Sequence, residues 1–250
     1  MKKMLFSFVL LAFLTTDTLW SQKVTLTPFA DSHQFEDAKI QSVVFKDGKF
    51  AYKIGGDTYK LGMQTPDAAS KMCANSKEGQ HIHLIVDNTP YVAKYKPEFD
   101  LDIEDGEHYI LTFLSRSYHE SIKTKAAYKA MHVKAKDNNF KRDEPIKDPM
   151  IFFSRPKGTY VGEDTKKVML DFYLVNCKLS KKGFRVKADI NGQEIMIDKW
   201  QTYYMEGLPM GESTITLTLL NQKGKPLDTP NNPIEQKITL KADPAAPIVK

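Results

Sequence analysis

Apolar and polar residues alternate through most of the chain with a period of two, in short runs broken by Gly, Asn, Asp and Pro. Two is the period of a β-strand, because successive side chains leave it on opposite faces. In the first half the pattern predicts strands over 24–27, 38–45, 49–54, 58–61, 81–87, 91–95, 99–103, 107–115 and 131–135. In the second half it predicts strands over 151–153, 168–175, 184–190, 194–197, 214–220 and 234–240. Asp47-Gly48 and Asn191-Gly192 are two-residue hairpin signals, since type I′ turns need positive φ at both central residues. Thr65-Pro66-Asp67 reads as the start of a short helix, and Glu120–Ala130 as one or two further helical turns. Closely spaced short strands of this kind predict an all-β protein built from two tandem immunoglobulin-like β-sandwich domains.

The tandem reading rests on an internal repeat. Cys73–His83 aligns without a gap on Cys177–Lys187, and Gly106–Leu114 aligns on Gly211–Leu219 after one extra residue in the second copy. The expected organisation is a first sandwich over 22–136, a polar linker over 137–148, a second sandwich over 149–242 and a disordered tail over 243–250. Residues 1–21 read as a signal peptide, with Lys2 and Lys3 ahead of an apolar run from Leu5 to Leu14 and cleavage near Ser21. That run is too short to span a bilayer, which takes about 20 apolar residues. The product is therefore expected to be exported, periplasmic or secreted, with no membrane span.

Alternation also assigns faces. Phe184, Val186, Ala188 and Ile190 point to a core, while Arg185 and Lys187 point away from it. By the aligned register Ile82, Leu84 and Val86 point inward, and His81, His83 and Asp87 are expected to face solvent. The two copies differ in this chemistry. Of six histidines, four lie between positions 81 and 119, and their counterparts are Arg185, Lys187, Ser213 and Gly224. Residues two apart on a strand share a face about 7 Å apart, so His81 and His83 can converge on one ion. If the 81–87 and 107–115 strands are antiparallel neighbours, His119 falls beside His81, and His108 falls at the far end near Asp87. The candidate metal ligands are thus His81, His83 and His119, with His108 a further candidate and Met72, Cys73 and Glu120 outer members. Neutral imidazole suits copper or zinc.

Net charge is +5, spread along the chain without the concentrated basic stripe of a nucleic-acid binder. The two cysteines, Cys73 and Cys177, occupy matching repeat positions and are expected to be unpaired. The acidic run Asp100–Gly106 reads as a strand edge rather than a calcium loop, and Trp200, Tyr203 and Tyr204 read as packing residues. No G-x-S-x-G elbow, H-E-x-x-H helix, P-loop or dinucleotide fingerprint occurs, so the expectation is a non-enzymatic binding protein.

Two resemblances add to this. His81-Ile82-His83-Leu84-Ile85-Val86-Asp87, then Asp105-Gly106-Glu107-His108 and Tyr118-His119, resembles small exported bacterial β-sandwich domains regarded as metal-binding. Those carry an H-x-H-x-x-x-D strand, a P-G-x-H turn and a later D-H; here Asp105 replaces the turn proline and Tyr118 the second aspartate. Over nearly its whole length after residue 21, the chain also resembles an exported family commonly labelled phosphopeptide-binding protein. The blocks that carry this include Tyr59-Lys60-Leu61-Gly62, Gln64–Asp67, Met72–Ser76, Gly79–Asp87, Phe113–Lys123, Ser154–Gly158 and Leu170–Asn176. The label implies a peptide or protein ligand, phosphorylated peptides included, taken up by the loop Ser115–Lys123. Arg116, Ser117, Tyr118 and His119 are the expected contacts, and Arg155 is a second candidate arginine for a phosphate.

Overall fold

The computed structural model describes residues 23–244. The expected signal peptide and the tail from residue 245 onward lie outside the described residues. The rest is all-β, with seventeen described strands and three single-turn 3-10 helices. In the first half these strands are β2 (Lys39–Lys46), β3 (Lys49–Gly55), β4 (His81–Val86), β5 (Val92–Lys94), β6 (Glu98–Asp100), β7 (Gly106–Ser115), β8 (Tyr128–Lys136) and β9 (Asn139–Pro145). The second half holds β10 (Met150–Arg155), β11 (Gly158–Val161), β12 (Val168–Val175), β13 (Arg185–Ile190), β14 (Gln193–Ile197), β15 (Tyr203–Glu206), β16 (Gly211–Leu220) and β17 (Ile234–Lys241). Ahead of both lies β1 (Thr25–Pro28). The expected helices shrink to the single turns Ala68–Ser70 and Lys125–Ala127.

Each half is an immunoglobulin-like sandwich. In the first, the sheet β2-β3-β6 faces the sheet β5-β4-β7-β8-β9 across a core of Ile40, Phe50, Ile82, Leu84, Ile110 and Val133. In the second, β1-β15-β12-β10 faces β11-β17-β16-β13-β14. The duplication is visible in the register. His81 stands opposite Ser115 on β4 and β7, and Arg185 stands opposite Leu220 on β13 and β16. Those pairs are the aligned positions, so both copies fold with one and the same strand offset.

Two boundaries depart from the expected organisation. The segment read as opening the first sandwich, β1, pairs antiparallel with β15 and completes a sheet of the second. In that sheet β15 has β12 on one side, and β1 fills the edge on the other. The segment read as a linker, 137–148, is mostly the strand β9, joined to β8 by a turn at Asp137-Asn138, where both residues have positive φ. Its polar composition fits an exposed edge strand as well as a linker.

The sandwiches stack sheet on sheet. The face of β4, β7 and β8 that points away from the first core packs on the outer face of β10 and β12. Ile85, Leu111 and Phe113 meet Met150, Phe152, Tyr173 and Val175 there in a third apolar cluster. Polar contacts pin the stack: Asn88 Nδ2 donates to the Ile151 carbonyl, the Phe153 amide donates back to Asn88 Oδ1, and Lys123 Nζ lies 2.5 Å from the fully buried Asp171 Oδ1. Every residue of β12 is buried, because both faces of that strand are covered. No helix of the described residues is long and apolar enough to cross a membrane.

Candidate metal centre

His81 and His83 do point away from the core of their own sandwich, as their parity requires. The expectation that this face meets solvent is overturned: both rings are 0% exposed, His83 against Ser154 of the second sandwich and His81 beneath Tyr95 and His119. In the second copy the equivalent face of β13 is uncovered, and Arg185 and Lys187 are only half-buried. The solvent exposure expected by analogy therefore holds for one copy and not for the other.

The rings converge. His81 Nε2 lies 2.8 Å from His83 Nε2 and 3.0 Å from His119 Nδ1, and the three ligand atoms lie within 4.8 Å of one another. The carbonyl of Gly79, 2.7 Å from His81 Nδ1, can only accept, so Nδ1 carries the proton and Nε2 presents its lone pair inward. His83 Nδ1 faces the Ser154 hydroxyl at 3.4 Å, which leaves its Nε2 for the centre. A tetrahedral ion about 2.0–2.1 Å from each nitrogen would set them about 3.3 Å apart, which moves His81 Nε2 a few tenths of an ångström away from each of its two neighbours.

Neighbouring elements hold this geometry. The buried Tyr59 hydroxyl lies 3.0 and 2.9 Å from the carbonyls of His81 and Ser115, clamping the paired ends of β4 and β7. Tyr91 stacks flat on His83 at 3.7 Å between centroids, and Phe113 packs on it at a tilt at 4.9 Å. His119 comes from a tight turn in which its amide donates to the Arg116 carbonyl and the Arg116 amide to the Glu120 carbonyl. The second copy repeats the turn bond for bond, Gly224 to Asn221 and Asn221 to Lys225. Backbone φ is +70° at His119 and +75° at Gly224. That left-handed region suits glycine and costs other residues about 1–3 kcal/mol, so an imidazole here runs against the local backbone preference.

Burial keeps the rings neutral. Desolvation, partly offset by the Gly79 carbonyl, pushes His81 down to about 4, and the Arg155 charge adds to it. His83 and His119 are also pushed well down, by burial first and then by neighbouring imidazoles, Arg155 and Lys157. Neutral imidazoles are the ligating form, so protons do not compete for the site near neutral pH.

The other candidates lie elsewhere. His108 belongs to a separate pair at the far end of β7, its Nδ1 2.6 Å from Asp87 Oδ2 and its Nε2 2.8 Å from the Glu104 carbonyl. Met72 is exposed, and Glu120 turns to Arg116 at 3.2 Å, a contact too poorly aligned to satisfy its buried Oε2 by hydrogen bonding. Cys73 and Cys177 are both free thiols, and Cys73 is not in the ligand group. Arg116 is 4% exposed and committed inward: Nε and Nη2 donate to the His33 carbonyl and Nη1 to the Ser121 carbonyl. Ser117 and Tyr118 are buried too, bonded to Thr65 and Asp67. Of the four residues expected to contact a peptide, only His119 is not fully enclosed. Sequence reasoning passed over Ser154, Tyr91 and Tyr59 as members of the site. The run of β12, apolar except for Asp171 and without alternation, was the available signal that a second layer would cover its outer face.

No protein-family model and no curated protein matches the chain. Among solved structures, it is similar to the fibronectin(III)-like modules of Clostridium thermocellum CbhA, at 16% identity over 38% of this chain and 99% of that one, TM-score 0.30. It is also similar to Bacteroides ovatus SGBP-B of the mixed-linkage glucan utilization locus, solved with a mixed-linkage heptasaccharide. That match has 8% identity over 88% of this chain and 70% of that one, TM-score 0.22.

Proposed function

We propose that this is an exported, non-enzymatic binding protein that holds a copper or zinc ion with His81, His83 and His119. The observation that carries the reading is the convergence of three imidazole nitrogens, one of them from a left-handed backbone position that the second copy fills with glycine. Three neutral nitrogen donors suit either metal, and a three-histidine set leaves a fourth position for another ligand. The enclosure by Tyr91, Phe113 and Ser154 favours retention over exchange, because it pre-pays the ordering of the ligands. Calorimetric titration of Zn²⁺ and Cu²⁺ into the protein and into its His81→Ala/His83→Ala variant tests this. One equivalent bound, with affinity at least about a hundredfold above the variant's, is expected. Equal affinities end the reading.

A peptide or protein ligand is the second reading. In its favour is a cleft of about 410 Å³ between the sandwiches, lined by Phe29, Arg116, Lys123, Trp200 and Gln201. It borders the Ser115–Lys123 loop, but Arg116 supplies it with a wall and no free guanidinium, so phosphate dependence is not part of this reading. Labelled-peptide binding that falls on Trp200→Ala would support it; unchanged binding would remove it.

A further inference from the structure

Charge around the three imidazoles is unbalanced in a way the metal alone worsens. Arg155, on β10 beside Ser154, is buried, and its Nη1 donates to the Tyr160 hydroxyl at 3.0 Å. Its Nε–H, also buried, has no acceptor among the described residues. The guanidinium lies over Tyr91 at 5.4 Å and the Lys157 ammonium over the same ring at 4.5 Å, and that ring is the one stacked on His83. Neither cation has a carboxylate within 4 Å among the described residues, whereas the buried Arg116 and Asp171 each have a partner of opposite charge. An ion such as Zn²⁺ on three neutral ligands would bring two more positive charges into the same buried space.

We infer that the loaded centre is composite: the metal takes an oxygen-donor anion, a carboxylate or an inorganic oxyanion, in its fourth position, and Arg155 and Lys157 hold that anion from the second sandwich. This rests on the metal reading and names what completes it. The cations are the donors such a ligand needs, Arg155 through a free N–H and Lys157, whose Nζ spends one of its three N–H groups on the Tyr91 carbonyl at 2.5 Å, as a point charge. Resident groups do not supply the charge: burial pushes the neighbouring Cys73 thiol up to about 12, so it stays neutral. His119 and Lys157 are the half-buried members, so an anion enters from their side.

The test uses the full-length mature chain loaded with Co²⁺, whose visible bands report coordination, titrated with acetate and with inorganic phosphate. Saturable band shifts are expected from at least one anion, weakened about tenfold or more by Arg155→Gln and severalfold by Lys157→Gln. Removing either cation also relieves repulsion, so both variants are expected to bind Co²⁺ more tightly than the parent when no anion is present. A generally loosened fold would not raise affinity, and Lys157→Gln, at a half-buried position, covers the case in which Arg155→Gln fails to fold. Co²⁺ binding with bands insensitive to both anions, or with anion affinity within twofold in Lys157→Gln, overturns the inference and leaves the metal reading standing. Absence of Co²⁺ binding overturns the inference, and absence of Zn²⁺ and Cu²⁺ binding overturns the metal reading as well.

Discussion

At the scale of single residues, His119 separates function from fold. Its turn is the turn of Gly224, so the backbone has no need of an imidazole there. His119→Gly is expected to leave the unfolding free energy within about 1 kcal/mol, since relief at positive φ offsets the entropy of glycine. The same variant should lose most of its metal affinity; urea melts and a Zn²⁺ titration on one preparation measure both. His108 makes a different test. Burial opposes its charged form, but the Asp87 hydrogen bond, the Glu104 carbonyl and their charges together raise it above the ordinary value of 6.5. A histidine raised in the folded state stabilises fully below its unfolded pKa, and the contribution fades as pH rises through the raised value. NMR titration should therefore find His108 the later of the two to lose its proton when compared with free histidine, and Asp87→Asn should abolish the shift. The convergence of His81, His83 and His119 was legible from strand parity and one assumed pairing. The commitment of Arg116 to the His33 carbonyl was not, because that contact joins segments 83 residues apart with no pattern linking them.

Among the elements, β1 and β9 show where alternation is silent. Both were visible as strand-like or polar segments, but four residues carry no information about which sheet they join. Topology decided it: β15 has a free edge beside the short Asp198–Thr202 connection, and β1 reaches it with Leu26 packed against the second core. Cutting the chain after Phe29, with the first segment removed, should expose that edge and strip amide-exchange protection from Tyr203–Glu206 while leaving β4 and β7 protected. Equal protection in β15 with and without the segment would mean that the pairing adds nothing. Strand β12 offers the complementary lesson. Val168-Met169-Leu170-Asp171-Phe172-Tyr173-Leu174-Val175 lacks the alternation of a half-exposed strand, and that lack marks a strand covered on both faces. Read in that way, it would have placed the histidine face against protein and not against water.

At the scale of the whole molecule, the contact between sandwiches is both a scaffold and the roof of the site. It joins Phe113, Phe152 and Tyr173 in one apolar cluster, and the Lys123–Asp171 pair crosses the same contact, with Asp171 buried and Lys123 half-buried at the cleft. Lys123→Ala leaves Asp171 without its charge partner and should cost about 3–5 kcal/mol, read from denaturant melts. A loss below about 1 kcal/mol would show the pair to be incidental. Because His81, His83 and His119 come from the first sandwich and Ser154, which faces His83, from the second, weakening that contact should also loosen metal binding. All of this depends on an ion sitting among three nitrogens. Anomalous diffraction at the zinc edge from crystals grown with one equivalent of Zn²⁺ addresses it most directly. The expected result is a single strong peak about 2.1 Å from His81 Nε2, His83 Nε2 and His119 Nδ1. A well-ordered triad with no peak between the rings, and zinc only on surface side chains, would contradict the account.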